Sequence, residues 1–177
     1  MHRNRTLEEY RDVLGIDIRA IAARTERFSW MDLCCGEGTA LRQLAIPRAR
    51  GIDLVAILPY VLAGDVATYP TETYDLVTCV HGAHYLGDVL GTLSRWHAAL
   101  RPGGVLAANI DWELVDVAGL PLERAFSEGV RVTDTIHGAI VMAEAGRFLH
   151  PAVRHLRSES YDEFGETFTK SFYVFDS

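Results

Sequence analysis

A chain of 177 residues with 49% hydrophobic and 23% charged side chains is sized for one domain with a real core. Its net charge of −7 and scattered basic residues argue against a nucleic-acid partner, which needs clustered Lys and Arg to displace counterions. No run reaches the ~18 apolar residues of a membrane span, and the opening MHRNRTLEEYRDVLG lacks the apolar stretch of a secretory signal. Neither a membrane nor export is expected. Cys34, Cys35 and Cys79 leave one thiol over in any disulfide scheme and do not match a zinc spacing. They read as reduced thiols filling core space in a cytoplasmic protein.

In chain order, Thr6 with Glu9 three residues on forms a capping box. Leu7, Tyr10, Leu14, Ile18 and Ile21 follow as a helical stripe that Gly15 divides in two. Residues 28–33 read as a first strand and 38–45 as the helix after it. Second and third strands fall at 49–57 and 60–66, and a fourth at 73–81 is apolar enough to be buried on both faces. Val89, Leu93, Trp96 and Leu100 mark a helix over 88–100, stopped by Pro102-Gly103-Gly104, and a fifth strand follows at 104–112. Strands alternating with helices imply an α/β, doubly wound, mostly parallel sheet. Beyond it, 121–129 reads as a helix, and 134–147 as a helix with enough β-branched residues to be a strand. The tail, 151–177, reads as two strands around Gly165, an antiparallel pair at one sheet edge. With no repeat or linker in sight, one domain is expected. Its parts are a helical cover (1–27), a ligand-binding core (28–112), a substrate cover (113–150) and the terminal strands.

The segment WMDLCCGEGTAL crowds small residues between the first strand and its helix. In a doubly wound sheet, ligands bind beyond the carboxyl ends of the strands at the topological switch. Small residues at Cys34, Cys35, Gly36 and Gly38 let a ligand approach the backbone there, and the following helix offers unpaired N–H groups. A G-x-G-x-x-G dinucleotide fingerprint fails, because its glycine positions hold Cys34, Gly36 and Thr39. A nicotinamide oxidoreductase is therefore disfavoured. Asp53, at the end of the second strand, can accept both hydroxyls of a ribose.

Taken in order, MDLCCGEGTAL, GIDL, AGDVATYP, YDLVTCVHGAHYLGD and LRPGGVLAANI resemble the motif series of the class I S-adenosylmethionine-dependent methyltransferases, small-molecule branch. The resemblance covers residues ~28–112 and implies a Rossmann-like methyltransferase fold. It places S-adenosyl-L-methionine against Asp32, Cys34, Gly36 and Gly38 of the turn. Asp53 and Leu54 would lie at the ribose, Asp65 and Val66 at the adenine, and Cys79 near the sulfonium. Cys34 stands where the family usually has glycine. Only eleven residues separate Asp53 from Asp65, where a parallel crossover usually needs a dozen or more and a helix.

Methyl transfer is an in-line displacement helped by alignment in a dry pocket, and an oxygen nucleophile also needs a base. His81 is the first candidate for acceptor contact or base. His84 is the second, set against simple packing beneath the next helix, and Asp111 is an alternative base. Tyr10 and Arg11 could cover the methionine carboxylate or be plain core and surface. No third ligand accompanies His81 and His84, so no metal is expected. His137, His150 and His155 receive no role. The acceptor is a small organic molecule, in a pocket that is compact, open to solvent or completed by a second subunit as a homodimer. The competing reading is a protein of the same fold turned to scaffolding or to another reaction such as a cyclisation.

Overall fold

A computed structural model describes residues 5–55, 58–67, 72–135, 138–163 and 166–176. The proposed end of the second strand at 56–57, His137 and the turn at Gly165 lie outside them. Helix α1 (Leu7–Leu14) opens on the expected capping box: Thr6 Oγ1 accepts from Glu9 N, and Glu9 Oε2 accepts from Thr6 N at 2.7 Å. Gly15 closes it in the left-handed region, φ 70°, with its N–H on the Arg11 carbonyl. Asp17 then caps α2 (Ile18–Arg24). Strand β1 (Trp30–Leu33), α3 (Thr39–Leu44), β2 (Ala49–Asp53), β3 (Val61–Ala63), β4 (Tyr74–Cys79), α4 (Val89–His97) and β5 (Leu100–Asp111) follow. The C-terminal part adds β6 (Val115–Val117), β7 (Arg131–Asp134), β8 (Gly138–Glu144), β9 (Val153–Glu163) and β10 (Glu166–Phe175).

The central sheet has the order β3-β2-β1-β4-β5-β8-β7. Its first five strands are parallel, and β8 and β7 complete it by antiparallel pairing. Side chains alternate between its faces, as strand geometry requires. Trp30, Leu76 and Ala107 pack with Leu7, Tyr10 and Leu14 of α1 and Leu41 of α3. Met31, Leu33, Val77, Leu106 and Ala108 pack with Val89, Leu93 and Trp96 of α4. Each such aliphatic side chain, fully buried, contributes roughly 1.5–3 kcal/mol of transfer free energy.

Four expectations change. The β-branched content of 134–147 wins over its helical spacing, and Gly138–Glu144 is a strand beside β5. Residues 121–129 hold only a single 3-10 turn, Leu122–Ala125. Pro102-Gly103-Gly104 lies inside β5, not between helix and strand, in an irregularity where the partner of Tyr74 is Leu100 but that of Leu76 is Val105. The terminal hairpin is not an edge of the central sheet: β9 and β10 join β6 in a second sheet, order β6-β10-β9. That sheet seats on the start of α4, where Tyr173 Oη donates to Asp88 Oδ1 and accepts from Leu90 N, both at 2.8 Å.

The short connection after Asp53 resolves as a three-residue β3, paired in parallel with β2 from Gly51↔Val61 to Asp53↔Ala63. The Leu58 carbonyl accepts from Val61 N at 2.9 Å, and the Tyr60 carbonyl from Gly51 N at 3.0 Å. This parallel pairing brings Asp65 to the same end of the sheet as Asp53.

Candidate active site

The chain leaves β1 toward β2 and β3 on one side, while β4 leads to β5 on the other. The two directions part at the carboxyl ends of β1 and β4, which opens a crevice there. A cavity of about 770 Å³ occupies it, within the size range of small-molecule sites.

The turn after β1 forms one wall. Cys34 (φ 54°) and Gly36 (φ 61°) are both left-handed, a conformation natural for glycine and strained by about 1–2 kcal/mol for cysteine. The Cys34 side chain sits against Gly82, its Sγ 3.7 Å from the Gly82 carbonyl. A hydrogen bond with Cys79 and burial push the Cys34 thiol up, and burial does the same for Cys35. All three cysteines are free and buried. Arg5 closes this end: its Nη1 donates to the Cys34 carbonyl at 2.6 Å, and its Nε is buried without a partner. Burial opposes the Arg5 charge, but Tyr10 and Asp32 outweigh it and the net shift is upward.

Asp53 grips the turn from β2. Its Oδ2 accepts from Gly36 N and its Oδ1 from Leu54 N, both at 2.8 Å. An ionised carboxylate offers about four lone-pair sites, so acceptor capacity is left toward the cavity. Leu54 is 75% exposed beside it. Past β3, Asp65 Oδ1 accepts from Ala67 N at 2.8 Å, and the Val66 carbonyl takes the Trp96 indole N–H at 2.6 Å. Asp53, Leu54, Asp65 and Val66 all line the cavity.

His81, His84 and Asp111 line it as well. His81 is left-handed (φ 51°). Asn109 of β5 meets it twice, Oδ1 accepting from His81 N at 2.7 Å and Nδ2 lying 3.4 Å from His81 Nδ1. The His84 ring packs between Tyr85 and Phe168, with centroids at 3.9 and 5.1 Å. Burial lowers its pKa, and its Nε2 is buried without a partner. Packing fits this histidine better than proton transfer. Asp111 Oδ1 accepts from Glu113 N at 3.0 Å.

Three expected cofactor contacts stand behind the wall instead of on it. Asp32 is 1% exposed, accepting from Tyr10 Oη and, at 2.7 Å, from Thr78 Oγ1, which in turn takes the Trp30 indole N–H at 2.8 Å. Burial raises its pKa to about 6. Gly38 faces Val61 and Tyr60, where an added Cβ would lie 2.9 Å from Val61 Cγ2. Cys79 is fully buried in the core under the turn. Tyr10 is core and Arg11 surface, so neither covers the cavity. The described lining holds no residue from 113–150; β10 supplies that wall with Glu166 and Phe168. The sequence carried no signal for Arg5, which precedes a cap, or for wall residues so distant in the chain. Asn109 had one: a polar residue within an apolar strand.

A family model described as "Methyltransferase domain" matches residues 3–168. Among curated proteins none matches significantly. Similar solved structures include YjhP from E. coli, 22% identical over 62% of this chain and 51% of that one, TM-score 0.44. Another is an S-adenosylmethionine-dependent methyltransferase from Clostridium acetobutylicum ATCC 824, 13% identical over 94% and 91%, TM-score 0.49. A third is SAM-bound CalS10, an amino pentose methyltransferase from Micromonospora echinaspora, 22% identical over 96% and 76%, TM-score 0.47. The chain thus spans about half the length of YjhP, and at these scores the structural likenesses carry no argument. The family match does: it runs over nearly the whole chain, and with it this protein belongs to the methyltransferase domain family.

Proposed function

We propose that the protein methylates a small organic acceptor, with the cofactor held against the turn at 34–36 and Asp53. The observation that carries this is that one cavity joins Arg5, Cys34, Gly36, Asp53 and Asp65. The residues fit the cofactor. The unpartnered Nε of a charged Arg5 suits a carboxylate, the spare acceptor sites of Asp53 suit ribose hydroxyls, and Asp65 with Val66 suits the adenine edge. The small turn leaves room at the backbone for the part between.

When bound, the cofactor supplies a methyl group on a cationic sulfur that an acceptor displaces in line. Acidic residues outnumber basic ones along the described lining, which favours a cation there. His81 orients the acceptor, Asp111 takes up the proton released on transfer, and Tyr85 with Phe168 keeps water from the reacting atoms. Glu166 and Phe168 of β10 supply a wall on the acceptor side of the cavity. Three buried reduced thiols suit a reducing compartment such as the cytoplasm.

The test is transfer of labelled methyl from S-adenosylmethionine to a panel of small phenols, hydroxy acids and amines. Label appearing in one acceptor class supports the reading. Tight cofactor binding with no transfer to any class would favour a scaffold on this fold.

A further inference from the structure

Two contacts from one amide decide what His81 can do. The His81 backbone N–H can only donate, so the Asn109 atom 2.7 Å from it is the carbonyl oxygen Oδ1. That contact fixes the amide orientation and turns Nδ2 toward the imidazole, 3.4 Å from Nδ1. An amide NH2 can only donate as well, so Nδ1 must present its lone pair. A neutral imidazole carries one proton, which is then on Nε2.

We propose that Asn109 is a positioning residue that holds His81 in the Nε2–H tautomer, so that His81 meets the acceptor as a hydrogen-bond donor and not as a base. The backbone is committed to this arrangement. His81 takes a left-handed conformation (φ 51°), disfavoured for a residue with a Cβ, and its N–H reaches Asn109 from there. Asn109 rises from a strand whose neighbours Ala107, Ala108 and Ile110 are buried and apolar, so its amide has a defined place and few competing partners. It does not line the cavity, whereas His81 does; it acts through the ring.

The inference rests on the methyl-transfer reading of the cavity and narrows it. A donor at His81 calls for a lone pair on the acceptor's X–H group, which a hydroxyl, a phenol or a neutral amine supplies and an ammonium group does not. The balance also changes. An acceptor X–H gains the methyl carbon, the carbon–sulfur bond breaks with its electron pair staying on sulfur, and one proton is released. That proton cannot settle on Nε2, which is already protonated, or on Nδ1, which faces the amide NH2. It goes to a carboxylate, and Asp111 stands at the end of the strand that carries Asn109.

Nitrogen-15 NMR of the histidine-labelled protein tests this directly, with the His81 signals identified by their loss in His81→Gln. The expected pattern is pyrrole-type at Nε2 and imine-type at Nδ1. In Asn109→Asp the carboxylate accepts from the ring and the proton moves to Nδ1. The reverse pattern in the wild type, or no change in Asn109→Asp, would overturn the proposal. In turnover, His81→Gln keeps an N–H donor near the Nε2 position but cannot take a proton. It should exceed His81→Ala in kcat/KM by about tenfold, the worth of one hydrogen bond; equal losses would point to a base instead. If wild-type protein fails to bind S-adenosylhomocysteine, the methyl-transfer reading falls, while the NMR pattern still decides the tautomer.

Discussion

The Cys34 side chain fills the space that a side chain at Gly82 would need: a Cβ built on Gly82 would lie 2.3 Å from Cys34 Cβ and 2.8 Å from its Sγ. Gly82 has an ordinary φ of −118°, so contact and not backbone strain excludes a larger residue. The two positions form a complementary pair across the mouth of β1 and β4. Gly82→Ala alone should destabilise by about 1–3 kcal/mol through overpacking. In a Cys34→Gly background the same change should cost at least about 1 kcal/mol less. Urea unfolding of the four proteins measures the coupling, and strictly additive effects would contradict it.

Asp32 gives a pH signature with a definite sign. Its folded-state pKa is raised to about 6 by burial, against an ordinary carboxylate near ~3.9. Below pH ~4 both states hold the proton; between ~4 and 6 the unfolded chain releases it first, so stability falls as pH rises. The full loss is about 3 kcal/mol and is complete above the folded value. Asp32→Asn cannot ionise and lacks this fall. The difference in urea stability between wild type and Asp32→Asn should shift by about 3 kcal/mol toward the variant from pH 4 to pH 7. A shift of the opposite sign would show that Tyr10, Thr78 and Arg5 outweigh desolvation.

Tyr173 fastens the second sheet to α4. Its hydroxyl accepts from Leu90 N and donates to Asp88 Oδ1, the N-cap carboxylate that also accepts from Gly91 N. Burial pushes the phenol up, so it stays a donor. Tyr173→Phe leaves a buried N–H unpaired and should cost about 1–3 kcal/mol, lowering Tm by about 3–10 °C at this chain length. Phe168 and Glu166 belong to the same strand as Tyr173, so the loosened sheet should also weaken acceptor binding more than cofactor binding. Parallel calorimetry and acceptor KM values separate the two.

The parallel half of the sheet was legible because its signals are local. The Thr6/Glu9 box, the break at Gly15, and the strand runs read at 28–33, 49–57 and 73–81 each depend on neighbours in sequence. Gly36, Asp53 and Asp65 were legible as residues at strand ends, and they line one cavity there. What escaped depends on tertiary context. The segment 138–144 carries helical spacing and β-branched residues alike, and only pairing with β5 decides it. The hairpin 153–175 reads the same whether it extends the central sheet or stands apart; its seat on Asp88 and Leu90 settles that. Asp32 reads as a ligand contact, yet Tyr10 and Thr78 occupy it from behind. Arg5 reaches the turn across 29 residues, which no spacing rule foretells.

The most direct measurement is calorimetric titration of S-adenosylhomocysteine into wild-type protein and into folded Asp53→Ala. Asp53 holds Gly36 N and offers its remaining acceptor sites to the ribose. Wild type should bind, and the variant should bind at least about a hundredfold more weakly, the loss of two hydrogen bonds to a charged group. Equal affinity in both proteins, or no heat with the wild type, would contradict a cofactor held against the turn and Asp53.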